Sequence, residues 1–285
     1  VLPDMSGTEV LRRLRADPIL RRVPVVMFSA SHAPDARIEA FRAGADEFLL
    51  KPLDDQTLLA RIRSLMRARE AMAGFGPGDG SLPDLDQILG PAISMGLAEP
   101  SASFQPRATI ALVMQRPETA MLLKRNLSGK IKDALVSLSP DEALASGLQE
   151  GPAPDIFMIE ADLAIQGGGL RLMSDLRSRA ATRNAAFMLY RGGASGVSPA
   201  MAFDLGAADM VAPETVPMEL AMRLERLLSL KREADHLRLS VHDGLRLAVI
   251  DPLTGLHNRR YGLAQLQAIA ERARAASTAS LGPSG

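Results

Sequence analysis

The chain contains no cysteine, which excludes disulfides, thiolate nucleophiles and cysteine–zinc sites together and fits a reducing, cytoplasmic setting. It also lacks an excess of charge, since 33 lysines and arginines balance 33 aspartates and glutamates. No bulk positive field therefore draws it to nucleic acid or to an anionic membrane surface. No apolar run approaches the roughly 20 residues that a membrane-spanning helix needs, and no secretory signal opens the sequence. An initiator methionine is missing too: the chain starts at Val1 in a loop-like stretch and ends in the turn-rich Ser277–Gly285, so both ends read as cuts. What is present is globular in composition, 47% hydrophobic and 23% charged, and 285 residues suggest about two domains.

Short buried-strand signals alternate with helical periodicity through the first 70 residues. The spacing predicts a helix over Gly7–Ala16 closed by Asp17-Pro18, and a strand over Val23–Phe28. A helix over Asp35–Ala43 is stopped by Gly44, and a strand over Phe48–Leu50 leads to Lys51-Pro52. Asp54–Arg69 is amphipathic, with Leu58, Leu59, Ile62, Leu65 and Met66 on one face. Residues 71–105 read as a linker: Gly74, Gly76, Pro77, Gly78 and Gly80 make it flexible, with a short helix over Asp84–Leu97. Alternation resumes at Ala108, with strands at Thr109–Met114, Leu135–Leu138, Ile156–Ile159, Ala186–Tyr190 and Met210–Val211, and Pro217–Leu230 as the closing helix. Five βα units form the inventory of a flavodoxin-like α/β sheet.

The two halves repeat. Ala43-Gly44-Ala45-Asp46-Glu47-Phe48-Leu49 parallels Leu205-Gly206-Ala207-Ala208-Asp209-Met210-Val211, and the helices through Arg61–Leu65 and Arg223–Leu227 follow at the same offset. A shared offset across strand, loop and helix points to duplication.

Three ordered motifs carry a family resemblance: Leu2-Pro3-Asp4-Met5-Ser6-Gly7, Val25-Val26-Met27-Phe28-Ser29-Ala30 and Gly44–Pro52. Residues 1–70 resemble the second half of a response-regulator receiver domain. Such domains accept a phosphoryl group on an aspartate, from a histidine kinase or phosphotransfer protein, with magnesium. The resemblance places that aspartate and the magnesium-holding acidic pair before Val1. It implies that the Val1 backbone carbonyl serves the metal, that Lys51 pairs with a phosphoryl oxygen, and that the Ser29 hydroxyl meets another. Phe48 then holds the aromatic switch position, and Pro52 follows a cis peptide bond. Taken singly, a Lys-Pro is a strand end, a serine after a strand a helix cap, and a phenylalanine core; only their order makes them a switch.

Residues 106–229 resemble a receiver that has lost this chemistry. Met114-Gln115-Arg116 replaces the acidic pair, Glu160 stands at the acceptor position, Pro213 replaces Lys51, and Tyr190 or Arg191 replaces Ser29. Glu160 reads either as a mimic of the charged state or as a solvated loop carboxylate. Such a domain serves as an adaptor, packing against the first receiver or against a second copy. Residues 230–249 continue as a helix, with Leu227, Leu230, Ala234, Leu237, Val241 and Leu245 forming a heptad seam with one stutter. The seam suits a stalk that pairs in a homodimer, or an ordinary amphipathic helix lying on its own domain.

From Asp251 the pattern Asp-x-Leu-Thr-x-Leu-x-Asn-Arg-Arg, carried by Asp251, Leu253, Thr254, Asn258, Arg259 and Arg260, resembles the opening of GGDEF domains. Asp251 is spaced to close a charged turn with Arg259 or Arg260, and Asn258 suits a helix cap. Residues 250–285 are thus the expected start of such a domain, without its catalytic loop. The domain order resembles the PleD type of response regulator, whose GGDEF domain joins two GTP into cyclic di-GMP with magnesium across a phosphorylation-promoted dimer. An arginine of the second receiver can assist product inhibition in this family; Arg183 is the candidate. The fragment alone is expected to be inactive. The alternative is a non-catalytic, phosphorylation-gated dimerisation scaffold.

Overall fold

In a computed structural model, the described residues are 5–31, 33–52, 54–73, 107–146, 152–165, 168–192 and 196–249, with Thr254, Leu256, Asn258, Arg259, Tyr261, Leu263, Leu266 and Ile269 beyond them. The linker expected at 71–105, including its helix over Asp84–Leu97, lies outside them apart from residues 71–73. The chain divides into two units, 1–71 with 104–233 and 72–103 with 234–285.

The first part of the larger unit alternates as its pattern requires. Helix α1 (Gly7–Ala16) is N-capped by Ser6, whose Oγ accepts from Glu9 N at 3.2 Å. Its stop at Asp17 leads into a 3-10 turn, Leu20–Arg22, that periodicity does not reveal. There the Asp17 carboxylate accepts from Ile19 N and Leu20 N. Strand β1 (Val26–Ser29) starts later than the expected Val23. Pro24 has no N–H to give a ladder, and Val25 N donates to Asp46 Oδ2 at 2.7 Å instead. Helix α2 (Pro34–Arg42) ends before Gly44, which turns at φ +99°, a conformation open to glycine. Strand β2 (Glu47–Leu50) pairs with β1 in parallel, Met27 opposite Phe48 and Ser29 opposite Leu50. Helix α3 (Asp55–Ala73) follows. Leu11, Ala40, Phe41, Ala45 and Phe48 form the core.

The second part is a complete doubly wound sheet. Its elements are β3 (Thr109–Val113), α4 (Pro117–Leu127), β4 (Ala134–Ser137), α5 (Pro140–Ala145), β5 (Ile156–Glu160), α6 (Gly168–Ser178), β6 (Ala186–Tyr190), α7 (Pro199–Asp204), β7 (Asp209–Val211) and α8 (Pro217–Val249). All pairings are parallel, in the order β4-β3-β5-β6-β7, which is the flavodoxin-like arrangement. Alternate residues serve opposite faces. Ile110, Leu112, Ile156 and Met158 pack with Leu127, Leu224 and Leu228, while Ala111, Val113, Phe157 and Ile159 pack with Leu172, Met173, Leu176 and Phe203. Helix α8 runs unbroken for 33 residues, so the closing helix of this domain and the expected stalk are one element. The seam residue Leu227 belongs to the domain core.

The repeat seen in the sequence becomes a contact between the two parts. Ala60 of α3 is buried in the second part's core, and Met222, its counterpart, packs against the first part's core. Between them lies a buried ionic centre. Arg61 lies 2.5 Å from Glu47 and 3.5 Å from Asp209, and Arg223 lies 3.0 Å from Asp209 and 3.2 Å from Glu47. The Arg61 guanidinium stacks over Phe203 at 4.7 Å, and that of Arg223 over Phe41 at 4.8 Å. Every member has its counterpart in the other half, the exchange expected of an isologous interface, here within one chain. Burial opposes the charge on Arg223, but the carboxylates of Asp209, Glu47 and Glu219 outweigh it and hold the group above its usual pKa.

Candidate functional site

The register of β1 against β2 sets Ser29 beside Leu50, and Lys51 N donates to Ser29 O at 2.8 Å. Both candidate switch residues thus stand at the C-terminal ends of adjacent parallel strands, the edge at which doubly wound sheets bind ligands. Ser29 is half-buried and its Oγ accepts from Ser31 N at 3.0 Å. Lys51 is exposed, and the Lys51–Pro52 peptide is cis, as expected. Phe48, three residues before Lys51, is only 6% exposed and sits in the core beside Phe41. Val1, the candidate source of a metal-ligating carbonyl, lies outside the described residues. Receiver domains take magnesium for phosphorylation. Among the described residues no cluster of His, Asp and Glu could hold a metal ion, and the side-chain oxygen and nitrogen of Ser29 and Lys51 make no ligand set, so no step here passes through one.

In the second part the same edge is closed. Glu160 ends β5, and its Oε2 accepts from Gln115 N at 2.7 Å, while Gln115 Oε1 accepts from Ala164 N at 2.7 Å. The Glu160 carboxylate is thus tied, through a solvent-exposed hydrogen bond, to the amide two residues beyond the end of β3. Register also decides between the two counterparts of Ser29. Glu47 pairs with Val26 and Asp209 with Met188, so Ser29 maps onto Arg191 and Phe28 onto Tyr190. Burial, then the Glu160 and Glu214 carboxylates, push the Tyr190 phenol up from its ordinary pKa.

Of the GGDEF-like entry motif, Asp251, Leu253 and Arg260 lie outside the described residues. Thr254 is in a turn, and Asn258 Oδ1 accepts from Tyr261 N at 2.9 Å, capping the helical residues that begin with Arg259. Arg183 is exposed in the turn before β6 and lines a cavity with Arg67 and Arg177. The ionic centre formed by Glu47, Arg61, Asp209 and Arg223 was not expected. Its signal lay inside the repeated stretches, where acid and arginine recur at the same spacing.

The response regulator receiver domain family matches residues 1–63. Over 274 residues the chain is 31% identical to the response regulator PleD of Caulobacter vibrioides, covering 96% of this chain and 57% of that protein. The chain thus spans little more than half the length of that relative. It is also 34% identical over 83 residues to the phosphate regulon transcriptional regulatory protein PhoB of Pseudomonas aeruginosa, 29% of this chain and 34% of PhoB. A putative response regulator structure from Chloroflexus aurantiacus aligns with a TM-score of 0.38 at 22% identity, covering 43% of this chain and 98% of that one. Residues 1–63 belong to the response regulator receiver domain family, and the sequence runs as that of a PleD-type response regulator over 96% of the chain.

Proposed function

We propose that this chain is the regulatory part of a diguanylate cyclase, in which phosphorylation of the first receiver drives the dimer that brings two GTP-loaded GGDEF domains together. The observation that carries it is the adjacency of Ser29 and Lys51 at the strand ends, taken with the GGDEF-like motif that follows α8. Lys51 supplies a point charge to a phosphoryl oxygen and Ser29 a hydroxyl donor, so one added dianion pulls both toward it. Phe48, next to Glu47 in β2 and buried in the core, reports that movement to the face that carries Glu47 and α3. The second receiver takes no phosphoryl group; it is the adaptor against which the first one rests. A histidine kinase or phosphotransfer protein is the phosphoryl source, and GTP and cyclic di-GMP are the substrate and product of the whole protein. Raising the effective concentration of one half-site near its mate is enough to switch such an enzyme.

The test uses the full-length protein with GTP and magnesium, with and without an acyl-phosphate donor. Cyclic di-GMP and oligomeric state are followed together. Product should rise with a shift from monomer to dimer, and Lys51→Ala should abolish both responses while leaving basal turnover. A dimer shift without product would transfer the case to a non-catalytic scaffold. Product indifferent to the donor would reject phosphorylation as the switch.

A further inference from the structure

The two halves of the interface differ at one pair of positions. In the first part the Arg15 guanidinium donates to the Gly44 carbonyl at 2.9 Å and to the Asp46 carboxylate at 2.5 Å. Arg226 of α8 pairs with the other oxygen of Asp46. In the second part Arg177 stands where Arg15 stands, packed under Gly206 as Arg15 is under Gly44. It still meets backbone there, donating to Leu205 O, one residue earlier than the counterpart of Gly44, at 2.9 Å. The counterpart of Asp46, however, is Ala208, and that of Arg226 is Ser64, whose hydroxyl donates to Ala207 O at 3.1 Å. The repeat thus preserves the arginine and removes its carboxylate.

That loss leaves charge uncompensated. Among the described residues Arg177 makes no ion pair, and neither do Arg67 and Arg183; Arg67 donates only to Phe203 O, at 2.6 Å. Burial, then the charge on Arg67, lower the pKa of Arg177. Asp46 is shared by Arg15 and Arg226, and the carboxylate of Asp209 is engaged by Arg61 and Arg223. Arg67, Arg177, Arg183 and Ala208 line a cavity of about 300 Å3, within the size range of small-ligand sites. The buried Arg61 and the half-buried Arg223 also line it, while Arg67, Arg177 and Arg183 are exposed.

We propose that this cavity binds a phosphate-bearing anion, whose oxygens occupy beside Arg177 the place that the Asp46 carboxylate occupies beside Arg15. Three unpaired guanidinium groups converging on one space call for more charge than a single carboxylate carries, and their planar forks match phosphate oxygens. Arg67 comes from the first receiver and Arg177 and Arg183 from the second. A bound anion therefore bridges the two and stabilises their contact by linkage.

The experiment is calorimetric titration of the full-length protein at low salt with inorganic pyrophosphate and, separately, with adenosine monophosphate, an adenine nucleotide chosen to avoid any guanine-nucleotide site. Wild type should bind. Arg177→Ala and Arg183→Ala should each weaken binding about tenfold or more, as expected for a lost charge-assisted contact. Arg183→Ala is the safer variant, since that side chain makes no hydrogen bond or ion pair among the described residues. Ala208→Asp should also weaken binding, because it returns the carboxylate from within, and its urea midpoint should match or exceed that of wild type. Tighter pyrophosphate binding assigns the site to free polyphosphate, and tighter monophosphate binding assigns it to nucleotides. Absence of binding by either probe, binding unchanged in Arg177→Ala and Ala208→Asp, or a lowered midpoint in Ala208→Asp would each overturn the proposal.

Discussion

Replacing Arg223 by methionine removes a guanidinium from the centre of the contact between the two receivers while keeping an apolar stem. The Arg223 side chain is 10% exposed, and its partners Glu47, Asp209 and Glu219 are 3%, 6% and 2% exposed. Breaking a buried pair by deleting one partner costs about 3–5 kcal/mol, since the charge left behind is desolvated. Arg61 remains near Glu47 and Asp209, but Glu219 keeps only Arg37, at 3.5 Å. We therefore expect a loss at the lower end, about 3 kcal/mol. With a urea slope of about 2–3 kcal/mol per molar, the first transition seen by circular dichroism moves down by about 1 to 1.5 M. Arg63→Met removes an exposed pair with Asp204, 54% and 47% exposed, and should cost under about 1 kcal/mol. A deficit below about 1 kcal/mol would refute the account of the ionic centre.

Glu160→Ala should leave uptake of phosphoryl groups from an acyl-phosphate donor unchanged in the full-length protein while releasing the Gln115 amide, and a reduced uptake would make the second receiver an acceptor after all. Gly169→Ala should destabilise the second receiver by at least about 2 kcal/mol, because its Cβ would collide with the backbone carbonyl of Glu160; an unchanged melting temperature would contradict that packing. The Asp54 carboxyl is held below its ordinary pKa by the Thr57 amide, then the Thr57 hydroxyl and the Gln56 amide. Its contribution to α3 is therefore present above the unfolded value near ~4 and is lost as pH falls through the depressed one. Carbon-detected NMR should find that titration below the usual aspartate range and see it vanish in Asp54→Asn.

Most of the fold was legible because a parallel sheet buried on both faces writes short apolar runs between helical periods. Ala186–Tyr190 and Gly7–Ala16 match their expected limits. The misses have local causes. Strand β1 starts after Pro24 because Val25 donates to the Asp46 side chain rather than to a ladder, and no propensity shows where a single amide will find its acceptor. The Leu20–Arg22 turn is built by the Asp17 carboxylate, which periodicity does not weigh. At the site, Ser29 and Lys51 were legible because motif order places them on neighbouring strands. The tether on Glu160 was not, since it depends on the geometry by which β3 and β5 end side by side. The ionic centre was half-written: the repeat displayed Glu47 with Asp209 and Arg61 with Arg223, but only packing shows that each acid faces the other half's arginine.

Duplication sets the edge that carries Ser29 and Lys51 apart from the surface that joins the two parts. That edge lies at the C-terminal strand ends, whereas the joining surface is built from α2, β2 and α3 and from their counterparts α7, β7 and α8. Substitutions at Glu160, Arg191 and Pro213 disturb the first region and leave the second intact, so the ionic centre retains all four of its members. A single strand joins these two regions. Strand β2 carries Lys51 just beyond its end and Glu47 at its start, only four residues of rigid extended backbone apart. A displacement at that end of β2 therefore bears on Phe48 in the core and on Glu47 at the interface. Helix α8, 33 residues long from Pro217 to Val249, carries Arg223, so any shift at Glu47 acts on the helix that ends just before the GGDEF-like motif.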